Sequence, residues 1–290
     1  MARLKSLEGL ITPCLKIIYT NTDQFTVTKK EELLRRIESE KPGIVAICEA
    51  KPKSGTDRAL VEYDIPNFDL HPVNLDNTIG RGIAIYTHKS IAKSTIQISN
   101  DSNFEEAGLL EIRLRGGDLF LFACCYRSPT ETELSALNNK KLNNLLKFVS
   151  SKRYTHICIV GDFNYRTINW QLLNTSKSME SDEYVFLETF QDCFLHQQVK
   201  YATRRRGETT PSLIDLVLTN KDTQVNDVKH LPPLGKSDHD VLSFEFQCYM
   251  ELPTTRETYL YSKGNFIDMK KDMESNWIKS FGRTLQKYGT

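Results

Sequence analysis

Nowhere in the 290 residues does an apolar stretch approach the roughly 20 residues that span a bilayer. That absence excludes a transmembrane helix, and no membrane partner is expected. A secretory leader is not expected either, because Thr12, Pro13 and Lys16 interrupt the N-terminal apolar segment. The expectation is a nuclear or cytoplasmic protein, not a secreted one. The seven cysteines (Cys14, Cys48, Cys124, Cys125, Cys158, Cys193, Cys248) form an odd set without a CxxC pair. Such a set reads as core thiols and not as a zinc site or a disulfide frame. An excess of one charge is missing too: 38 Lys and Arg against 37 Asp and Glu leave a net charge of +1. Any nucleic-acid contact must therefore come from a local patch. No fixed short repeat is visible, and no Gly/Ser/Pro-rich linker precedes about Leu252.

What is present is enough to build a large core, since 39% of the chain is hydrophobic and 26% charged. An apolar run at 15–20 ends at Asn21-Thr22-Asp23, and a helix is expected next, with Thr28 as N-cap, Glu31 completing a capping box, and Leu33, Leu34 and Ile37 on one face. A second strand, 44–48, runs into Glu49. After a loop, consecutive strands are expected at 68–73, 82–87, 93–98, 109–115 and 119–125, the last two joined by Gly116-Gly117-Asp118. A helix over 131–151, a strand ending at Gly161, a helix over 184–195 and strands at 213–218, 225–230 and 241–248 complete the pattern. Sheet packed on sheet, with helices outside, accommodates this order.

The octet Ile157-Cys158-Ile159-Val160-Gly161-Asp162-Phe163-Asn164 concentrates the chemistry. A buried strand stops at polar residues, as α/β folds do where they place sites. If the chain stayed extended, Asp162 and Asn164 would share a face, one able to accept a proton and the other to donate hydrogen bonds. Polar residues follow apolar runs again at Asn21 and Asp23, Glu49, Tyr126, Asp215 and Ser237-Asp238-His239-Asp240. Carboxylates with Asn and one His, without a Cys or His cluster, suit a hard cation such as Mg²⁺. With Mg²⁺ such a set is equipped for attack of water on a phosphate ester. The remaining histidines, His71, His88, His156, His196 and His230, read as structural.

In order, Asn21-x-Asp23, Ile47-Cys48-Glu49-Ala50-Lys51, Cys125-Tyr126, Gly161-Asp162-Phe163-Asn164, Ile214-Asp215-Leu216-Val217 and Ser237-Asp238-His239 resemble the motifs of the endonuclease/exonuclease/phosphatase superfamily. More closely, YRSP, VGDFNYRTINW, IDLVLTN and LGKSDHDVLSF look like the endonuclease domain of non-LTR retrotransposons of the chicken-repeat and jockey type, over about 15–248. The resemblance implies an α+β fold, a four-layer αββα sandwich of two mainly antiparallel sheets flanked by helices.

It also implies roles. Glu49 matches the principal metal ligand, with Asn21, Asp23 and Asp238 beside it, for Mg²⁺ or a substituting Mn²⁺. Asp162 matches the residue that deprotonates the attacking water, and Asn164 the one that holds a phosphate oxygen. His239 matches a phosphate-contacting histidine oriented by Asp215, and Tyr126 a phosphate contact near the leaving group. Arg204, Arg205, Arg206, Arg127, Lys51 and Ser237 are expected to contact DNA. The implied activity is nicking of double-stranded DNA to leave a 3′-hydroxyl and a 5′-phosphate. Element RNA is an implied partner through the full polyprotein. The sequence departs from the retroelement pattern at Arg81-Gly82-Ile83, which has fewer glycines, and at Arg166, where proline is common. A phosphomonoesterase or phospholipase of the same fold, and an inactive nucleic-acid-binding remnant, are the rival readings.

Residues 1–250 are expected to form the endonuclease domain and 251–290 a connector. In the connector Phe266, Met269, Met273, Trp277 and Phe281 fall at helical spacing. No Tyr-x-Asp-Asp tetrad is present, so the reverse transcriptase is expected to be absent from this chain.

Overall fold

The computed structural model of the protein describes residues 11–53, 58–77, 79–129, 133–207 and 209–251, together with Lys270. The elements below all lie in the first of two compact units, which ends at Pro253. The expected helix across Phe266 to Phe281 lies outside the described residues.

In chain order the elements are β1 (Ile11–Asn21), α1 (Val27–Glu40), β2 (Ile44–Cys48), β3 (Phe68–Val73), β4 (Ile83–His88), α2 (Lys89–Ala92), β5 (Thr95–Ile98), β6 (Ala107–Arg113), β7 (Leu119–Tyr126), α3 (Glu133–Ser151), β8 (His156–Asp162), the short β9 (Ile168–Asn169) and β10 (Asn174–Thr175), α4 (Asp182–Asp192), β11 (His196–Gln197), β12 (Asp215–Thr219), β13 (Val225–Leu231) and β14 (Val241–Glu251). They make two six-stranded sheets, ordered β13-β14-β1-β2-β4-β3 and β11-β12-β8-β7-β6-β5, plus a β9–β10 ribbon. Each large sheet holds one parallel pair, β1 with β2 and β7 with β8, crossed over by α1 and α3 respectively. All other pairings are antiparallel.

Three apolar clusters define the layers. Ile17, Tyr19, Phe120, Phe122, Phe244 and Phe246 belong to the core between the sheets, where the Phe120 and Phe246 rings stack at 4.5 Å. Ile18, Val45, Ala84 and Tyr86 face the other way, with Phe25 and Leu33, beneath α1. Leu142, Leu145, Leu146 and Val149 of α3 pack with Phe186 and Phe190 of α4 on the outer face of the second sheet. Alternation along β1, Ile17 inward and Ile18 outward, is the period-2 pattern of a strand buried on both faces. The molecule is therefore a helix, sheet, sheet, helix sandwich. All seven cysteines are free, and five of them are buried.

The start of α1 differs from the expectation. Thr26, not Thr28, is the N-cap, its side chain accepting the Lys29 N–H at 3.3 Å. Phe25, buried immediately before the cap, anchors the entry of the chain and sets the earlier start.

Topology collects the polar strand ends. In a parallel pair both strands finish at the same edge, and an antiparallel neighbour begins there. Asn21 thus lies opposite Cys48, Tyr126 opposite Asp162, and Asp215, the first residue of β12, opposite Asp162. β14 runs antiparallel to β1, with Leu242 opposite Tyr19, so residues 237–240 arrive at that edge as well.

Candidate active site

The central hydrogen-bond donor of this edge is Asn21, fully buried at the end of β1. Its Nδ2 donates to Glu49 Oε1 at 2.8 Å and to Asp162 Oδ2 at 2.9 Å, while its Oδ1 accepts the Asp23 N–H at 2.9 Å. One carboxamide thus ties together the carboxylates that end β2 and β8. Asn21 presents its N–H groups to the two carboxylates and its oxygen to the Asp23 backbone.

Asp162 is 1% exposed, and its Oδ1 accepts the backbone N–H of Asn164 at 3.1 Å. The strand stops here. Asn164 takes a left-handed φ of 53° and turns its Nδ2 onto the Arg127 carbonyl at 2.8 Å. The extended geometry that would put Asp162 and Asn164 on one face is therefore replaced by a tight turn closed on the Asp162 side chain. Gly161, one residue earlier, allows the close approach of β8 to β7: a Cβ there would sit 2.2 Å from the Cys125 carbonyl oxygen of the neighbouring strand.

Asp215 and His239 form a second buried group. Asp215 Oδ1 accepts from the Tyr19 hydroxyl at 3.0 Å, and Oδ2 accepts from Thr203 at 2.7 Å and from His239 Nδ1 at 2.8 Å. The ring is thereby fixed with Nδ1 toward the carboxylate. Nε2 lies 3.6 Å from Asp238 Oδ1 and 3.9 Å from Asp162 Oδ2, charge contacts longer than hydrogen bonds. Donor atoms of Asp162, Asp215 and His239 lie within 4.8 Å of one another, so this buried group could hold a metal ion. With both Asp215 oxygens engaged, it is equally a closed proton-sharing network.

The electrostatics separate these groups. Burial, and then the adjacent Asp215 charge, push the Asp162 carboxyl up to about 7, against the pull of His239 and the Asn21 N–H. Burial alone would depress His239, but Asp215 and then Asp162 and Asp238 outweigh it and raise the imidazolium to about 9. A carboxylate poised near neutrality beside a cationic imidazole is an acid–base pair suited to activating water.

These shifts carry a stability consequence. His239 binds its proton more tightly folded than unfolded, so its contribution is complete below pH 6.5 and is lost as pH rises through about 9. Asp162, also raised, acts in the same sense at lower pH. The metal-free protein is expected to melt at progressively lower temperature across that alkaline window, and His239→Gln to flatten the slope between 6.5 and about 9. An unchanged slope in the variant would contradict the assignment.

The remaining expected residues are distributed unevenly. Asp23, Glu49, Asp238 and His239 line one cavity of about 250 Å³ together with Lys53, Arg204, Arg206 and Lys236. Each of these carboxylates is paired: Asp23 with Lys53 at 2.6 Å, Glu49 with Arg81 at 3.0 Å and Asp238 with Arg204 at 2.9 Å. Burial works against the Asp23 charge, yet Lys53 beside it holds the carboxyl below its ordinary value. Tyr126 is buried near Glu49; burial first, and then the Glu49 charge, raise its phenol. Glu49 itself sits at φ 50° and Asp23 at φ 43°, both left-handed.

Most of the residues expected to contact DNA have these partners within the fold. Arg127 is 7% exposed, its Nε on Asn139 at 2.6 Å and its guanidinium over the Tyr165 ring, so it braces α3 and does not present a cation to a ligand. Ser237 is buried, donating to the Asn21 carbonyl at 2.8 Å. The Lys51 ammonium donates to the carbonyls of Asn77 and Ile79. Arg205 holds Asp240, which His230 also contacts. Arg206 is exposed, and with Arg166, Arg204, Thr209, Thr210 and Ser212 it lines a neighbouring basic cavity of about 310 Å³.

Two six-stranded sheets back to back, with the polar strand ends at one edge, are a fold this chain shares with solved structures. Residues 120–243 match the family model described as endonuclease-reverse transcriptase. Among solved structures, the endonuclease domain of TRAS1, a telomere-specific non-LTR retrotransposon, superposes with a TM-score of 0.59 at 14% identity, over 81% of this chain and 99% of that one. The 3′ phosphatase NExo from Neisseria, bound to a product DNA hairpin, superposes with a TM-score of 0.57 at 15% identity, over 80% of this chain and 99% of that one. No curated protein sequence matches the chain.

Proposed function

We propose that the protein is a Mg²⁺-dependent DNA endonuclease that hydrolyses a phosphodiester to leave a 3′-hydroxyl and a 5′-phosphate, as the target-nicking domain of a non-LTR retrotransposon. The observation that carries the reading is the single edge on which Asn21 bridges Glu49 and Asp162 while Asp215 fixes His239. The match of residues 120–243 and the likeness to a retrotransposon endonuclease and to a DNA-bound phosphatase support it.

The cavity's donor set fits the implied cation: Asp23, Glu49 and Asp238 offer only oxygen, the preference of Mg²⁺ or Mn²⁺. When bound, that cation supplies Lewis-acid stabilisation of charge on the phosphate. The chain's own residues do the rest. Asp162 Oδ2, held by Asn21, takes the proton of the attacking water. His239, protonated and anchored through Nδ1, directs Nε2 at a phosphate oxygen and offsets charge that grows in the transition state. Exposed Arg206 and Arg166 offer cations to the duplex backbone.

Incubated with supercoiled plasmid and Mg²⁺, the purified chain is expected to yield open circles whose nicks prime a DNA polymerase directly, as a 3′-hydroxyl does. Release of inorganic phosphate from 3′-phosphorylated ends without nicking would favour the phosphomonoesterase, which the likeness to a 3′ phosphatase keeps in contention. DNA binding without either reaction would mark a remnant.

A further inference from the structure

The three carboxylates around the 250 Å³ cavity are neutralised by resident cations, and one of these cations, Arg81, also has its backbone bonded to the segment that carries its carboxylate. Arg81 Nε donates to Glu49 Oε2 at 3.0 Å, and the pair is largely shielded, with side chains 28% and 15% exposed. Lys53 opposite Asp23 is 54% exposed and correspondingly screened. Arg204 sits on the hairpin between Thr203 and Ser212 and pairs with Asp238, outside the segment that carries Glu49.

The Arg81 backbone is clamped on both sides. Its N–H donates to the buried carboxylate of Glu106 at 2.7 Å. Its carbonyl accepts from Lys51 N–H, and the next carbonyl, of Gly82, accepts from Ala50 N–H, both at 3.0 Å. The loop bearing Arg81 is thus laced directly to the two residues that follow Glu49. Gly80 turns the loop at φ 55°, and a Cβ there would lie 2.0 Å from Glu106 Oε1, so the carboxylate that holds Arg81 fills the space a side chain would need. One terminal nitrogen of the Arg81 guanidinium is buried without a hydrogen-bond partner among the described residues. A guanidinium only half satisfied at its tip, and so well fixed at its base, is not placed there for local stability alone.

We propose that Arg81 is a positioning residue and the resident counter-ion of Glu49, held in place by Glu106, with which a divalent cation competes for the Glu49 carboxylate. This rests on the reading of Glu49 as a metal ligand. With Oε1 held by Asn21 and Oε2 by Arg81, Glu49 is kept oriented, and the arginine sets how much cation is needed to take it. A freed guanidinium then has donors to offer a phosphate oxygen, the geometry arginine serves best.

The test is direct titration of the full chain with Mn²⁺ alone, followed by calorimetry and by the electron paramagnetic resonance signal of free ion. Arg81→Met, which keeps an unbranched stem and drops the charged head, is expected to bind Mn²⁺ about tenfold more tightly than the parent chain, and Arg81→Lys to bind close to it. Glu106→Gln, which loosens the clamp, is expected to fall between. Tightening is a gain that mere structural damage does not produce. Glu49→Gln separates the two ideas. If it abolishes binding while Arg81→Met leaves affinity unchanged or weaker, the counter-ion role is overturned and the metal reading stands. If Glu49→Gln binds Mn²⁺ as the parent does, the metal reading falls and takes the proposal with it.

Discussion

Asp162→Asn is expected to slow plasmid nicking by about a thousandfold or more, within the range general-base removal costs, while the protein stays folded and retains DNA. The size of the loss follows from the position. Asp162 is the buried carboxylate with a pKa near neutrality, and Asn21 fixes the oxygen that faces His239. Asparagine matches its volume and can still accept the Asn164 N–H, but it cannot take a proton from water. Folding is not expected to suffer. Above pH 7 the ionised carboxylate is held against a large desolvation penalty, so a neutral replacement removes an unfavourable charge as well as a favourable contact. Nicking by the variant at a rate within tenfold of the parent would remove Asp162 from the mechanism.

Asp215→Asn is expected to act through His239. The substitution removes the leading attractive charge that lifts the imidazole to about 9, leaving burial to pull it down. Nicking is expected to fall about a hundredfold near neutrality and to recover partly toward acid pH, where the ring regains its proton. The decisive measurement is the His239 titration by NMR, whose midpoint is expected to drop by more than a unit, about the size of shift that loss of an adjacent charge produces. A midpoint still near 9 would show that Asp162 and Asp238 suffice, and that Asp215 is only packed there.

Much of this edge was readable from polar residues following apolar runs, because parallel central strands and their antiparallel neighbours must deliver those ends to one side. Asn21, Glu49, Asp162, Asp215 and His239 meet as that rule implies. Tyr19 was also legible in principle: it lies two residues before Asn21 on an extended strand, hence on the same face, and its hydroxyl supports Asp215. Thr203 was not, since a threonine before three arginines reads as loop until tertiary structure buries it against Asp215. Two of the arginines show the same limit. Charge on a loop suggests an outside partner, but Arg127 and Arg205 find theirs within the fold, and no local pattern reports where a guanidinium reaches. The N-cap at Thr26 was decided likewise by burial of Phe25, a contact distant in sequence.

The left-handed backbone at Asp23, Glu49 and Asn164 sets the requirements of the site against those of the fold. Each such residue costs about 1–2 kcal/mol, which glycine would relieve. Glycine in place of Glu49 is therefore expected to give a sturdier protein while removing the carboxylate that Asn21 and Arg81 hold.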